Sequence, residues 1–285
     1  MPFPVETDYR RWREPVFRHD RAGFFALDRL RSGLHLIDYG AVELGMLVRN
    51  RRAPATFYGF HAAQSPVTRR PVPYFQGRRI APRRLNQVLF SDPSLYLHED
   101  VRTGWFLGNR HCELLSELPP ILDKLDALLG SERRLLWGNS AGGTAALRYA
   151  RDGDVSVVMN PQVILERFTW GRIKPWARHG WGRADNDAAR ALVRDIGDLT
   201  RDPPKGRIVY CQNVHDAHVE DHLAPLAQAL GVSTAPGDDG RFRLILGDWG
   251  KGHFPPPSET QAEFVAEEAA RIGGGGGGWL RRWFG

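Results

Sequence analysis

The stretch Gly138-Asn139-Ser140-Ala141-Gly142, followed by Gly143, fits the pattern G-x-S-x-G. Such a pentapeptide sets a serine at a sharp turn between a strand and a helix. The backbone there is strained, the hydroxyl is lifted above the sheet, and the glycines avoid collisions with the neighbouring strand and helix. The pentapeptide says little alone, but its surroundings say more. Leu135-Leu136-Trp137 before it is strand-like, and Thr144-Ala145-Ala146-Leu147-Arg148-Tyr149-Ala150 after it is a strong helix former, so the required setting is present. A helix starting there directs its dipole and free N–H groups at the turn, where an oxyanion would form. The competing readings are a tight junction without chemistry and a phosphate-cradling turn, which lacks the Lys and Ser/Thr of a P-loop.

A serine nucleophile needs a base, and the base needs a carboxylate to fix its tautomer. Two later strands end in suitable residues. The run from Gly206 to Asn213 is followed by Val214-His215-Asp216, and the run from Arg241 to Trp249 by Gly250-Lys251-Gly252-His253-Phe254. Asp216 and His253, each just past the end of its strand, are thus candidates for the acid and the base, with glycines on both sides of Lys251 giving the imidazole room to project. Asp248 is the alternative acid, five residues before the histidine. His215, His218, Asp221 and His222 crowd the Asp216 region and offer a metal reading; the competing one has His218 and His222 opening the next helix or packing near Asp216. For His253 the competing reading is an ordinary loop histidine.

Positioning these groups requires a sheet. Strands are expected at Leu34–Tyr39, from Glu43, at Ala55–Ala62, at Asn86–Ser91, before Gly138, at Asp154–Gln162, and in the two runs ahead of Asp216 and His253. Helices are expected at Cys112–Leu129, with Pro119-Pro120 dividing it, after Ser140, over Asn186–Leu199, over Val219–Leu230 and over Ser258–Ile272. Strands that alternate with helices imply an α/β fold, a mostly parallel central sheet covered on both faces. The proline- and arginine-rich stretch 63–84 reads as a long surface loop. Residues 1–30 form an N-terminal segment, irregular or helical, and 31–272 form the main domain, with an insertion at 160–205 carrying Trp170, Trp176 and Trp181. Gly273–Gly278 reads as a linker, followed by Trp279-Leu280-Arg281-Arg282-Trp283-Phe284-Gly285. That end is either a frayed tail or an amphipathic element making weak contact with a membrane or partner surface.

Composition narrows the classes. The chain has 285 residues, 42% hydrophobic and 25% charged, an ordinary globular mixture that excludes disorder along its whole length. No run approaches the ~18–20 uncharged apolar residues of a membrane span, and the first residues show no apolar signal region. The two cysteines, Cys112 and Cys211, make neither a disulfide framework nor a metal cluster. The expectation is a cytoplasmic protein that needs no cofactor and no metal. The net charge is +6, but the arginines are dispersed and form no basic stripe with stacking aromatics, so no nucleic acid partner is expected. The oligomeric state is not written in the sequence.

Taken together, these pieces resemble the α/β-hydrolase superfamily over roughly residues 30–272. The resemblance implies an α/β-hydrolase fold in which the triad follows in the order Ser140, Asp216, His253 and the 160–205 insertion is a small helical lid. It implies that one oxyanion donor is the N–H of Ala141. The other belongs to the loop after an early strand, here Phe57-Tyr58-Gly59-Phe60-His61-Ala62-Ala63. This sequence departs from the family's frequent His-Gly by having His61-Ala62, so the donor is placed only in the neighbourhood of His61, Ala62 and Ala63. The segments Ser91–His98, Gly104–Gly108, Gly138–Ala150 and Asn213–Pro225 are also similar to hydrolase-like proteins of bacterial surface-polysaccharide and accessory-secretion pathways. The implied function is a carboxylesterase-like serine hydrolase acting on a small-molecule or glycoconjugate ester through an acyl-enzyme. Trp105, Phe106, Tyr74 and the insertion's Trp170, Trp176 and Trp181 are candidate pocket walls, with core packing as the stronger competing reading. The alternatives are an acyltransferase or acetyl-esterase acting on a polysaccharide or glycoconjugate with the same triad, and a non-catalytic partner protein of the same fold.

Overall fold

A computed structural model describes residues 3–65 and 67–273. Among them runs a ten-stranded sheet. Its strands in chain order are β1 (Val16–His19), β2 (Gly33–Asp38), β3 (Glu43–Arg49), β4 (Ala55–Phe60), β5 (Asn86–Ser91), β6 (Arg133–Asn139), β7 (Val155–Met159), β8 (Arg207–Asn213), β9 (Gly237–Asp238) and β10 (Phe242–Gly247). The spatial order is β1-β2-β3-β5-β4-β6-β7-β8-β10-β9. From β5 through β4, β6, β7 and β8 to β10 every pairing is parallel, while β3 is antiparallel to both β2 and β5. The sheet is therefore mixed and mostly parallel, and the carboxyl ends of its parallel strands share one edge, where ligands gather in such sheets.

The parallel strands read as unbroken apolar runs because both of their faces are covered. Successive side chains alternate between two cores. On one face Tyr58, Phe60, Leu136, Val158 and Tyr210 pack beneath α2 (Leu114–Leu129), α3 (Ala141–Tyr149) and α6 (Ala224–Leu230). On the other, Phe57, Leu135, Trp137, Val157 and Val209 pack beneath α7 (Ser258–Gly273). A third, smaller core joins the loop around Trp105 to α4 (Trp170–Trp181) and α5 (Asn186–Ile196), which lie between β7 and β8.

Three expectations need correction. The N-terminal segment contributes β1, a short strand paired in parallel with β2, preceding the brief helix α1 (Arg21–Phe25); four residues are too few to give a periodic signal. Pro119-Pro120 does not divide α2, which is continuous because the pair lies on its exposed side, where the carbonyls they leave unpaired face water. The 63–84 stretch is not wholly a surface loop. Val72, Phe75 and Ile80 are buried, and Phe75 and Ile80 cover Trp137's face of the sheet. The chain from 274 onward, with the linker and aromatic tail, lies outside the described residues. No helix among the described residues is long and apolar enough to cross a membrane.

Candidate active site

Ser140 sits between β6 and α3 with φ 52° and ψ −118°, a conformation that L-residues rarely adopt. Two glycines make the turn sterically feasible. A Cβ on Gly138 would lie 2.1 Å from the Gly142 carbonyl carbon, and one on Gly142 would lie 2.2 Å from the Phe60 carbonyl oxygen. Helix α3 therefore packs backbone to backbone against β6 and the end of β4, with its N-terminus beneath Ser140. The first N–H groups of any helix lack intrahelical acceptors, which leaves the Ala141 N–H beside the serine available to a ligand.

Asp216 follows β8 and His253 follows β10, and the structure brings them together: His253 Nδ1 lies 2.6 Å from Asp216 Oδ2. The other carboxylate oxygen, Oδ1, accepts the His218 N–H at 3.1 Å. Burial by itself would raise the Asp216 pKa, but the His253 hydrogen bond and His218 outweigh it and hold the carboxyl below its usual value. Asp248 faces elsewhere; its Oδ2 lies 3.2 Å from His215 Nε2. The His253 loop turns through two glycines in left-handed conformations, Gly250 (φ 111°) and Gly252 (φ 94°). It is tied down by Asn213, whose Nδ2 donates to the Gly250 and Gly252 carbonyls at 2.7 and 2.6 Å, and by Asn160 Nδ2 to the Phe254 carbonyl at 2.9 Å.

His218 and His222 are buried behind this pair. The His218 ring centroid is 4.4 Å from those of both His253 and His222. Burial, reinforced by neighbouring imidazoles, pushes His218 down to about 4 and His222 to about 3, so both are neutral near pH 7. Ligand atoms of Asp216, His218 and His253 lie within 4.8 Å of one another. Both Asp216 oxygens and His218 Nδ1, which is 3.2 Å from the Asn160 carbonyl, are already engaged in hydrogen bonds, an arrangement that serves orientation of His253. His222 lies outside that set and accepts the Ile164 N–H at Nδ1.

Ser140 Oγ accepts a hydrogen bond from Gln162 Nε2 at 2.8 Å, and none joins it to His253 among the described residues. Gln162 was not foreseen from the sequence. It is buried, and its Oε1 accepts the Trp105 indole N–H at 3.1 Å. Because an indole nitrogen can only donate, that contact fixes which end of the amide faces the serine. The signal available in the sequence was the polar triplet Asn160-Pro161-Gln162 directly after the apolar run of β7, at the sheet edge where ligands bind.

Trp105 and Phe106 have φ of 53° and 55°. The buried Asp92 carboxylate holds their loop by accepting N–H groups from Ser94, Gly104 and Phe106 at 2.9, 2.8 and 3.0 Å. The Asp92 N–H in turn donates to His61 Nε2 at 3.0 Å, so the His61 proton resides on Nδ1, 2.7 Å from the Ala62 carbonyl. His61 is fully buried, and desolvation lowers its pKa against the pull of Asp92. Its ring is thus committed to holding the backbone, not to meeting an oxyanion. The Ala62 N–H is committed as well, donating to Gln76 Oε1 at 2.8 Å. The Ala63 N–H has no acceptor among the described residues; it belongs to the same planar peptide as the carbonyl that His61 holds, which fixes its direction.

Ser140, Ala141, His253, Ala62, Ala63, Gln162 and Trp105 line one cavity of about 350 Å³, together with Thr103, Asn139, Phe168 and Arg172. Tyr74, Phe106 and Trp170 do not. Tyr74 lies behind the wall, its hydroxyl accepting from Gln76 Nε2 at 2.6 Å. Phe106 is core, packed edge-on against Phe60. Trp170 is covered by the Arg190 guanidinium 4.5 Å from its ring. Aromatic residues in these segments serve packing as readily as recognition, and their spacing does not separate the two.

The strand order, the strained serine between β6 and α3, and the loops after β8 and β10 are those of the α/β-hydrolase fold. Comparison of the sequence with protein-family models and with curated proteins returns no match. Among solved structures, the capsule O-acetyltransferase of Neisseria meningitidis serogroup A is similar at 16% identity and a TM-score of 0.59, over 85% of this chain and 96% of that one. The glycosylation-associated Gap123 complex of Streptococcus agalactiae matches at 15% identity and 0.58, over 83% of this chain. This chain spans only 45% of that protein's length. An acetyl xylan esterase from Paenibacillus sp. R4 matches at 12% identity and 0.50, over 87% of this chain and 91% of that one.

Proposed function

We propose that this protein is a serine ester hydrolase that works through an acyl-enzyme on Ser140. The observation that carries the reading is the 2.6 Å contact of His253 Nδ1 with Asp216, in one cavity with a serine held at positive φ. The Asp216 carboxylate keeps the imidazole proton on Nδ1, which leaves Nε2 to accept a proton. His253 takes the hydroxyl proton as Ser140 Oγ attacks the ester carbonyl carbon. The Ala141 and Ala63 N–H groups receive the oxyanion, and His253 returns the proton to the departing alcohol oxygen. Water, activated by the same histidine, then cleaves the acyl-serine. The Gln162 hydrogen bond holds Oγ in place before attack and directs its own proton away from the amide. The α4–α5 segment acts as the lid of this site.

The test is the intact mass of the protein after a fluorophosphonate probe, with Ser140→Ala as control. One adduct on the wild type and none on the variant is the expected result; well-folded wild type that takes no adduct overturns the proposal. A second reading, transfer of the acyl group to an acceptor hydroxyl, draws support from the O-acetyltransferase among the similar structures. Product analysis with and without an added polyol separates the two, since a transferase yields acylated polyol in place of free acid.

A further inference from the structure

The catalytic cavity opens beyond the groups assigned to chemistry. Arg172, in the first turn of α4, lines both this cavity and an adjoining one of about 470 Å³ whose walls also include Arg102 and Asp100. Arg172 is thus common to both cavities, and Arg102 stands in the second. Among the described residues Arg172 forms no ion pair, and the Arg102 side chain gives one hydrogen bond, to the Ser65 carbonyl at 3.2 Å. The acidic group lining the second cavity, Asp100, is exposed and lies 3.5 Å from His98 Nδ1. Among the described residues no carboxylate lines the catalytic cavity, and Asp216 is buried behind His253.

An arginine whose fork is not used by the protein, on the wall of a cavity holding a nucleophile, is suited to a planar or tetrahedral oxyanion group. We infer that the alcohol portion of the ester reaches this adjoining space, and that the preferred substrate is an ester whose alcohol portion carries a carboxylate or phosphate, bound by Arg172 and Arg102. The inference rests on the proposed Ser140 chemistry and narrows it to one substrate class.

The test compares three acetyl esters: those of methyl glucoside, of methyl glucuronide, and of a methyl glucoside phosphate. At low ionic strength, kcat/KM for a charged ester is expected to exceed that for the neutral one by about tenfold, the scale of a hydrogen-bonded charge pair. The advantage should shrink as salt is added. Preference for the carboxylate or for the phosphate supports the inference equally and names the source of the charge. In Arg172→Gln, and in Arg102→Gln as a second variant, the charged-to-neutral ratio should fall toward one, with unchanged thermal melting showing that the fold is kept. A wild-type ratio near one, in protein that takes the fluorophosphonate at Ser140, overturns the inference and leaves the serine chemistry standing. A ratio that stays high in both variants also overturns it. Wild type that neither takes the probe nor cleaves any of the three esters overturns both.

Discussion

Replacing Asp216 by asparagine tests the site at one atom. The His218 backbone N–H is a fixed donor, 3.1 Å from Asp216 Oδ1, and His253 Nδ1 is 2.6 Å from Oδ2. In Asp216→Asn the new amide must turn its oxygen to the His218 N–H, because the reverse orientation sets two donors face to face and costs about 1–3 kcal/mol. The amide NH₂ then meets His253 Nδ1. To accept that bond the imidazole must carry its proton on Nε2, the position that has to take the proton of Ser140. The base is present but in the wrong tautomer, and the expected loss is about 10⁴ in kcat, or about 5.5 kcal/mol of barrier. The assay is hydrolysis of p-nitrophenyl acetate at pH 7.5, with the fluorophosphonate labelling rate as a second readout and circular dichroism to verify folding. A loss of less than about tenfold in a folded variant would refute the assignment of Asp216 as the residue that sets the tautomer.

Three further outcomes follow from other parts of the structure. Gly142→Ala should lose at least ~3 kcal/mol of stability or fail to fold, because its Cβ meets the Phe60 backbone. Gly143→Ala, whose Cβ would sit 3.0 Å from the Pro161 side chain, should fold with a smaller loss, and equal melting temperatures for the two would contradict this. Gln162→Met keeps the volume but removes the donor to Ser140 Oγ, and Trp105→Phe removes the indole that orients that donor; each should slow labelling of Ser140 by about tenfold, and unchanged rates would dismiss the role. Stability should fall with acid: His35, His218 and His222 have pKa values lowered to about 4, 4 and 3 by burial. The unfolded chain, with histidines near 6.5, binds more protons below that pH, so stability is complete above about 6.5 and is lost down to about 3, by several kcal/mol in all. Urea midpoints that stay level from pH 7 to 4.5 would show these histidines to be charged in the fold.

The sequence disclosed most of the sheet and the candidate residues at its carboxyl edge for a physical reason. Parallel strands buried on both faces leave unbroken apolar runs, and the loops at their carboxyl ends can be read off in order; Ser140, Asp216 and His253 were chosen as candidates that way. Long-range hydrogen bonding was not legible. Nothing local says that Gln162 meets Ser140, that the His61 ring is consumed by Asp92 and Ala62, or that Gln76 takes the Ala62 N–H, because each bond joins segments that only the sheet order brings together. The strand β1 and the buried part of 63–84 were missed because short elements and proline-rich chain carry no period. Tyr74 and Trp170 were plausible walls by type, yet their positions depend on how two loops fold back, which composition does not encode.

Asp92 has a consequence for how this protein can vary. It touches neither Ser140 nor His253, but through His61 it fixes the Ala62–Ala63 peptide, and through the loop to Phe106 it fixes Trp105, which orients Gln162 against Ser140. These bonds link the ends of β4, β5 and β7 to the serine after β6. An insertion or deletion between Asp92 and Phe106 would therefore be felt both at the Ala62–Ala63 peptide and at Ser140, and selection should hold that loop to a constant length. The α4–α5 segment carries Arg172, and its inner face is joined to the same loop by Trp176, whose indole donates to the Gly108 carbonyl at 2.9 Å and packs edge-on against Trp105. Under the proposed function, new substrate preferences would arise by changing Arg172 and its neighbours on that segment while the Trp176 face is kept.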